Sequence, residues 1–435
     1  MNDEPELNIK LPPFTIQKLF VSLTQAMDWG VKQMNIEKLW KKTKGKGITI
    51  AVLDTGCPAT KSADGKITVH PDLKNNILLD KCESFIRSED IYDYCGHSTA
   101  CCGVIAAEDN ETGFVGYAPE AKIICYKVLN KNGAGSLEWI EKALRRCVET
   151  KPDIVSMSLG SQFGSYNMHQ YVKKLDAMGI PVICAAGNGG AEEGVNYPAI
   201  YNESFAIGAY DHKMKIANFS AIGDALDFAF PGVDINTTWL NGGYTRISGT
   251  SFACPACSGL VALIMAIAKD EGTIPKNAKN TLWIYDELKK YASNPKKIDT
   301  KTEDWGWGYI DIQKMIEDKN MEVAQLTAGN KPSDLFSKAS KYNLIDREHL
   351  NQLTDEQINN ISNTLHLSLN NKMTNLMDKL GKRYYPAFAI YVSHEGWTDA
   401  ETVLKKNLKK ITRAKYCLLN PVRWYKNFLI HKSFS

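Results

Sequence analysis

One stretch decides the fold of this chain: Ile48-Thr49-Ile50-Ala51-Val52-Leu53-Asp54-Thr55-Gly56. Its first six residues are apolar or β-branched, which predicts a short strand buried on both faces, as in a parallel sheet. Further along the chain, runs of this kind alternate with longer amphipathic runs. The alternation predicts an α/β fold of three layers, with helices on both faces of a central, mostly parallel sheet. We predict strands over 48–53, 122–128, 154–158, 182–186 and 205–210, and helices over 97–107, 136–150, 167–178 and 251–269.

Four polar residues stand at the edges of these predicted elements, where parallel sheets carry their sites. They are Asp54 in the stretch above, His97 in Gly96-His97-Ser98-Thr99, Asn188 in Ala185-Ala186-Gly187-Asn188-Gly189, and Ser251 in Ser248-Gly249-Thr250-Ser251-Phe252-Ala253-Cys254-Pro255. Each motif alone is typical of an ordinary strand end or turn. Together they supply an acid, a base, an amide and a hydroxyl.

These four residue types suit nucleophilic attack on a carbonyl group. A serine hydroxyl is a poor nucleophile at neutral pH and needs an adjacent base, for which the imidazole of His97 is suited. Asp54 would orient that imidazole and stabilise its charged form. The Asn188 amide and the backbone N–H of Ser251 would donate hydrogen bonds to the negative oxygen of a tetrahedral intermediate.

In this order the motifs resemble the subtilisin-like serine proteases over about residues 25–318, in the style of bacterial intracellular subtilisins. The resemblance implies an intracellular serine endopeptidase that works through an acyl-enzyme. Two alternatives stay open: a processing protease dedicated to one partner, such as a leader peptide or a phage structural protein, and an inactive protease-like binding protein. The chain departs from the family at Ser98, Ala100, Phe252 and Ala256, positions that affect pocket shape and rate rather than the triad.

The resemblance also implies a groove in which an extended peptide substrate adds as a strand between two edges. Its lining is implied at Gly133, Ala134, Gly135, Leu137, Ser158, Leu159, Gly160, Ala185 and Gly187. Leu137 falls where the family has a lid over the fourth subsite, and 185–187 falls at the first subsite. Small apolar walls there favour an apolar or large residue before the scissile bond. Glu192 and Glu193 either reach this pocket and favour a basic residue or lie in a solvated loop.

A structural calcium ion is a further implication of the resemblance. The segment 109–119 is similar to the calcium loop of the family. The implied ligands are the side chains of Gln25, Asp72 and Asn110 and the carbonyl oxygens of Glu108, Thr112 and Phe114. Oxygen ligands with one or two carboxylates suit calcium.

Composition points to a cellular compartment. The chain has 435 residues, a net charge of +3 and eleven cysteines, several of them next to His97 or Ser251. No uninterrupted apolar run reaches the roughly 20 residues of a membrane span, and the acidic start lacks the features of a signal peptide. Cys254 and Cys257 are spaced as a Cys-x-x-Cys pair, but they lie on the predicted helix that starts at Ser251 and Cys254 is followed by a proline, so we do not expect them to bind zinc. We therefore predict a cytoplasmic protein with free, buried thiols.

Three segments follow from these patterns. Residues 1–24 form an N-terminal extension, and its Leu11-Pro12-Pro13-Phe14 is similar to the inhibitory extension of intracellular subtilisins. It is either an inhibitor lying in the groove or a plain tail. Residues 25–320 form the catalytic domain. Residues 321–435 form a small, helical extension with 17 Lys and Arg against 10 Asp and Glu, which either binds an anionic partner or presents a solvated basic helix. The physiological substrate and the oligomeric state stay open.

Overall fold

The computed structural model describes residues 6–22, 24–274 and 280–318. The described residues up to Lys314 belong to one unit. The predicted C-terminal domain 321–435 and its anionic partner lie outside the described residues. In chain order, the strands are β1 (Ile9–Lys10), β2 (Thr15–Phe20), β3 (Ala26–Met27), β4 (Thr49–Asp54), β5 (Ala59–Lys61), β6 (Ile67–Val69), β7 (Glu83–Ser84), β8 (Phe114–Val115), β9 (Lys122–Lys127), β10 (Ala134–Gly135), β11 (Ile154–Met157), β12 (Val182–Ala185), β13 (Ser204–Tyr210), β14 (Phe228–Pro231), β15 (Ile235–Thr238), β16 (Tyr244–Ser248), β17 (Ala292–Ser293) and β18 (Tyr309–Ile310). The α-helices are α1 (Trp29–Gln33), α2 (His97–Ala106), α3 (Leu137–Thr150), α4 (Tyr166–Ala177), α5 (Gly190–Glu193), α6 (Thr250–Glu271) and α7 (Leu282–Lys290).

A seven-stranded sheet in the order β14-β13-β12-β11-β4-β9-β7 forms the centre of this unit. Every neighbouring pair in it runs parallel. Strand β4 lies between β11 and β9, so the apolar stretch that ends at Asp54 sits inside the sheet. The predicted α/β architecture with a mostly parallel sheet is confirmed.

Helices cover both faces of this sheet and make the three layers. On one face, α3 and α4 pack with the side chains of Ala51 and Leu53 in one apolar cluster. On the other face, α6 packs along β11, β12, β13 and β14, and α2 packs against α6 and β4. The alternation of side chains along a strand sends successive residues of β4 into the two layers.

Helix starts follow the capping residues in the sequence. Ser136 accepts a hydrogen bond from the Trp139 N–H at 3.2 Å and begins α3. Ser165 does the same for the Met168 N–H at 3.3 Å and begins α4. These caps satisfy N–H groups that the first turn leaves unpaired. The predicted helices and sheet strands appear with ends shifted by one or two residues.

One helix of the described residues, α6, is long and apolar enough to cross a membrane by length and composition, and it is buried in the protein. It is the core helix of a three-layer fold. The sequence reasoning counted only uninterrupted apolar runs and therefore passed over this helix, which contains polar residues such as Ser258.

The N-terminal extension enters two small sheets outside the central one. Strand β1 pairs antiparallel with β10, and β2 pairs antiparallel with β16. Between the two strands lies the segment 11–14, which contains both prolines of the predicted inhibitory motif. The pairings fix both ends of this segment across one edge of the molecule.

Candidate active site

The predicted acid and base lie side by side in the protein interior. Asp54 is the last residue of β4, and His97 is the first residue of α2. The His97 Nδ1 atom lies 2.8 Å from Asp54 Oδ1 and 3.0 Å from Asp54 Oδ2, and both side chains are fully buried. A hydrogen bond from Nδ1 to the carboxylate leaves Nε2 free to act as the base.

Asp93 fixes the start of the helix that carries His97. Its Oδ2 accepts hydrogen bonds from the Thr99 N–H at 2.8 Å and the Thr99 hydroxyl at 2.6 Å. Its Oδ1 accepts from the Gly96 N–H and from the hydroxyl of Thr55, the residue after Asp54, both at 2.9 Å. A single buried carboxylate thus ties the acid-bearing strand to the base-bearing helix. Sequence reasoning missed Asp93, although an acidic residue shortly before a helix is a capping signal.

Ser251, the predicted nucleophile, lies in the first turn of α6 and is buried. Its hydroxyl donates to the Ser158 carbonyl oxygen at 3.3 Å, and the Ser158 hydroxyl donates back to the Ser251 carbonyl oxygen at 2.8 Å. Within the described residues, His97 Nε2 has no hydrogen-bond partner. The Ser251 hydroxyl and His97 Nε2 are therefore not hydrogen bonded to one another in this structure.

Asn188 presents its amide nitrogen toward the groove. Its Oδ1 accepts from the Thr250 N–H at 2.9 Å and from the Thr250 hydroxyl at 2.7 Å, which fixes the orientation of the amide. Its Nδ2 donates to the carbonyl oxygen of Pro13 at 2.6 Å. The orienting role of Thr250 is a second feature that sequence reasoning missed, although Thr250 directly precedes the predicted nucleophile.

The N-terminal extension occupies the groove that the sequence predicted. Ile9 and Lys10 pair with Gly135 and Ala134, and the Leu11 N–H donates to the Gly133 carbonyl oxygen at 2.9 Å. On the other side, Lys10 forms a bridge with Gly160 through two hydrogen bonds of 3.4 Å. A peptide strand thus lies between the two predicted edges.

Glycine is required at the edge that touches this strand. A Cβ atom on Gly133 would lie 2.7 Å from Leu11 Cδ1, and the φ of Gly133 is +72°. At Gly135 a Cβ atom would lie 2.4 Å from the Val128 carbonyl oxygen. A larger residue at position 133 would therefore collide with the peptide in the groove, and one at position 135 would collide with the backbone behind it.

The other predicted groove residues lie around the same strand. Leu137 begins α3, and its N–H donates to the Asn8 side-chain oxygen at 2.9 Å. Leu159 is buried beside Ser158. Ala185 ends β12, and the Gly187 N–H donates to the Thr250 hydroxyl at 3.3 Å.

The two glutamates near the first subsite do not sit in an irregular loop. Glu192 and Glu193 belong to the short helix α5, and both are exposed. The Glu193 side chain folds back over Gly189, where an added Cβ atom would lie 2.1 Å from the Glu193 carboxyl carbon. Exposure on a helix agrees with the solvated alternative.

Phe14 lies against His97, the predicted base. Its ring centroid is 5.1 Å from that of His97 and 6.4 Å from that of Phe252, in a T-shaped contact with the latter. The ring of Phe252 itself lies 5.6 Å from His97. Two aromatic rings thus flank the imidazole, one from the extension and one from the residue after the nucleophile.

A thiol also touches this group of side chains. The Cys101 Sγ atom lies 3.8 Å from His97 Nδ1 and donates to the Ser251 carbonyl oxygen at 3.4 Å. Burial raises the pKa of the Cys101 thiol well above its ordinary value. Cys101 therefore stays neutral beside the imidazole and does not compete with Asp54 for its charge.

The residues of the predicted calcium loop also come together. Asp72 Oδ1 accepts from Asn110 Nδ2 at 3.1 Å, and Asp72 Oδ2 accepts from the Phe114 N–H at 3.3 Å. Gln25 Nε2 lies 2.7 Å from the Glu108 carbonyl oxygen and 3.4 Å from that of Thr112. The loop passes so close to the carboxylate that a Cβ atom on Gly113 would lie 2.0 Å from Asp72 Oδ2.

This combination of fold and site is that of a subtilase, and the subtilase family matches residues 45–300 of the chain. The protein belongs to this family and is a subtilisin-like serine endopeptidase.

Its relatives include an intracellular serine protease of Paenibacillus polymyxa, 40% identical over 248 residues, which are 55% of this chain and 73% of that protein. The major intracellular serine protease of Bacillus subtilis (strain 168) is 37% identical over 271 residues, 60% of this chain and 82% of that protein. Subtilisin DY of Bacillus licheniformis is 34% identical over 247 residues, 56% of this chain and 85% of that protein.

Proposed function

We propose that this endopeptidase cleaves peptide bonds through Asp54, His97 and Ser251, with an acyl-enzyme as the intermediate and Asn188 as a donor to the oxyanion. The observation that carries the proposal is the 2.6 Å contact between Asn188 Nδ2 and the carbonyl oxygen of Pro13. In this contact a peptide carbonyl oxygen accepts a hydrogen bond from the amide that would stabilise the oxyanion in the proposed mechanism. Protein and peptide chains are therefore the substrates.

The reaction begins with a rotation of the Ser251 hydroxyl. It leaves the Ser158 carbonyl oxygen and turns toward His97 Nε2, which has no other partner among the described residues. As the serine oxygen attacks the substrate carbonyl carbon, its proton passes to Nε2, and Asp54 stabilises the imidazolium. The imidazolium then gives this proton to the leaving amine. Water, activated by the same imidazole, hydrolyses the acyl-enzyme.

The test of this proposal is the Ser251→Ala variant. It should lose hydrolysis of casein and of apolar peptide substrates while keeping its fold and melting temperature. Ser258→Ala is the matched control, since Ser258 is buried on the same helix and hydrogen bonds to the Ser156 hydroxyl at 2.9 Å. Activity in Ser251→Ala equal to that of Ser258→Ala would refute the assignment.

We further propose that the extension inhibits the full-length enzyme. Residues 9–11 occupy the two groove edges, and the Pro13–Phe14 bond stands at Asn188. The hydroxyl of Ser251 points to Ser158 rather than to the base, and Phe14 packs beside the imidazole. These contacts support an occupied and unreactive groove. A substrate must displace the extension before it can bind.

For the calcium ion, the donor set supports the proposal. Asp72, Asn110 and Gln25 would hold the ion with the carbonyl oxygens of Glu108, Thr112 and Phe114, and the ion would stabilise the loop between α2 and β9 by fixing these oxygens. The Asp72 carboxylate is buried and now accepts bonds from weak neutral donors. The Gln25 amide faces the carbonyls with nitrogen, and rotation about its last bond exchanges nitrogen for oxygen.

The cytoplasm is the proposed compartment. Two of the relatives are named intracellular proteases. Every cysteine among the described residues is a free thiol, and most of these thiols are buried. A reducing environment keeps such thiols free. We found no contact in the described part of the chain that favours a single dedicated partner or an inactive binding protein.

A further inference from the structure

Three cysteines from distant parts of the chain meet in one cluster, which we call the sulfur cluster: Cys57, Cys82 and Cys125. Their Sγ atoms all lie within 4.8 Å of one another. Cys57 follows the end of β4, Cys82 directly precedes β7, and Cys125 lies in the middle of β9. The cluster thus joins segments that belong to, or directly flank, the neighbouring strands β4, β9 and β7 of the sheet.

A fourth sulfur and a backbone donor surround the sulfur cluster. The Cys102 Sγ atom lies 3.8 Å from Cys125 Sγ. The Cys125 N–H donates to Cys82 Sγ at 3.3 Å. A hydrogen bond from Cys125 is the main cause that lowers the pKa of the Cys82 thiol. Cys57 and Cys125 are almost fully buried, whereas Cys82 is half-buried and gives access from solvent.

This geometry is close to that of thiolate-bound metal ions. Zinc–sulfur bonds are about 2.3 Å long, so ligands at tetrahedral angles are roughly 3.8 Å apart. No separation in the sulfur cluster exceeds that edge by more than about 1 Å. Thiolates are soft ligands and select Zn²⁺ or Cu⁺ over Ca²⁺ and Mg²⁺. Backbone N–H groups that point at ligand sulfurs are a common feature around such ions.

We propose that Cys57, Cys82 and Cys125 form a binding site for a thiophilic d¹⁰ cation of the Zn²⁺ type. The three thiols lose their protons as the metal–sulfur bonds form, so binding releases protons to solvent. The ion ties the loop after the catalytic Asp54 to β9 and to the segment before β7. A disulfide would bond only two of the three sulfurs, whereas a cation uses all of them. The oxygen-lined calcium loop is a different site with a different preference.

The consequence for the fold is a cross-link near the end of β4, the strand that carries Asp54. Cys57 is three residues after Asp54, and Cys125 is paired in register with Val52. A ligand that binds the folded state alone stabilises it by mass action. Zinc should therefore raise the melting temperature, and the increase should depend on its free concentration.

The experiment uses the full chain with Ser251→Ala, which prevents self-digestion, under a phosphine reductant and with calcium present. Zinc alone is titrated in equilibrium dialysis, and bound metal is counted by mass spectrometry. Cadmium titration supplies a second readout, because cadmium–thiolate bonds give an ultraviolet charge-transfer band. We expect one equivalent of zinc and a band that saturates at one equivalent of cadmium.

Matched variants locate the ion. Cys82→Ser should weaken zinc binding by more than about 100-fold, the upper range for losing a group that only orients a ligand. Cys57→Ser repeats the test at a buried ligand, with circular dichroism to verify folding. Cys147→Ser is the control, since Cys147 is buried on α3 and its pKa is raised by burial alone. Cys101→Ser tests the other possible group, formed with Asp54 and His97.

The site exists as proposed if Cys82→Ser and Cys57→Ser no longer bind the one equivalent of zinc, while Cys147→Ser and Cys101→Ser still bind it. The proposal is overturned if the parent protein binds no zinc under these conditions. It is also overturned if folded Cys82→Ser retains the parent affinity, or if Cys101→Ser loses the ion instead.

Discussion

Replacing Ile9 by alanine should activate the full-length protease. Ile9 is fully buried although it belongs to the N-terminal extension, and it packs in the apolar cluster that holds Trp139 and Leu129. Its backbone pairs with Gly135 at the edge of the groove. The side chain therefore anchors the extension, and its loss should shift the chain from the closed, inhibited form toward the open form.

The size of the shift follows from burial. Burying an isoleucine side chain stabilises by roughly 1.5–3 kcal/mol, so Ile9→Ala should weaken the closed form by about 2 kcal/mol. Since about 1.4 kcal/mol is a factor of ten, the closed-to-open ratio should fall about 30-fold. A tethered segment has a local concentration near 1 mM, so a free-peptide Kd of about 0.1 mM gives a closed-to-open ratio of about ten. The active fraction then rises from about 9% to about 75%, or roughly eightfold.

The assay is the initial rate of hydrolysis of a short apolar peptide at substrate concentrations well below KM. Leu7→Ala is the matched control, because Leu7 lies two residues earlier and is 45% exposed. Intact mass measured before and after the assay verifies that the extension stays attached. Equal rates in Ile9→Ala and the unaltered chain, or an equal rise in Leu7→Ala, would show that the extension does not inhibit through this anchor.

Three other changes test the site. Asn188→Ala should reduce kcat by about 100–1000-fold with little change in KM, as losing one oxyanion donor does in subtilisin itself; a loss confined to KM would contradict the role. Removal of calcium by a chelator should lower the melting temperature, and Asp72→Ala should abolish that response; an unchanged melting temperature in the metal-stripped protein argues against the ion. Replacing Pro12 and Pro13 together by alanine should turn the extension into a substrate, and intact mass should then show self-cleavage near residue 13. The same replacement in the Ser251→Ala variant is the control, which should stay uncleaved. If the double replacement also stays uncleaved in the protein that keeps Ser251, the prolines do not protect the extension.

The sheet and its main helices were within reach of the sequence because each has a local signal. Strand β4 is a run of apolar and β-branched residues, and α3 begins at the serine cap Ser136. Their ends were displaced by a residue or two, since frayed turns carry weak signals. The short antiparallel strands β1 and β2 were not predicted. Their partners lie more than 100 residues away, and no local pattern specifies such pairing.

The candidate site also contains some residues that the sequence predicted and others that it did not. Asp54, His97, Asn188 and Ser251 were found from short motifs, and the structure brings them to one edge of the sheet. Asp93 was missed because its partners come from two different segments, and a sequence does not show which loop will cross above a helix start. Whether these residues catalyse the reaction stays a prediction.

The sulfur cluster shows a different limit of sequence reasoning. Its cysteines are separated by 25 and 43 positions, whereas the sequence analysis looked for zinc ligands only in closely spaced Cys-x-x-Cys pairs and therefore did not consider them. Neighbouring parallel strands are joined by a crossover connection of a dozen or more residues, so residues that face each other across them are far apart in the sequence. Ligand sets built on neighbouring strands therefore have long and irregular spacing, and only the register of β4 with β9 reveals them.

Under the proposed inhibition, two consecutive prolines would allow the extension to lie in the groove of the protease and remain whole. Strand pairing on both edges stops at Lys10 and Leu11, because Pro12 and Pro13 have no N–H to donate. The carbonyl of Pro13 reaches Asn188, yet the residues just before it lack the strand hydrogen bonds that align a substrate for attack. Attack requires the reacting atoms near 3–3.5 Å with aligned orbitals. The extension thus gains affinity from residues 9–11 and withholds alignment at residues 12–13, which is the combination that an inhibitor needs and a substrate lacks.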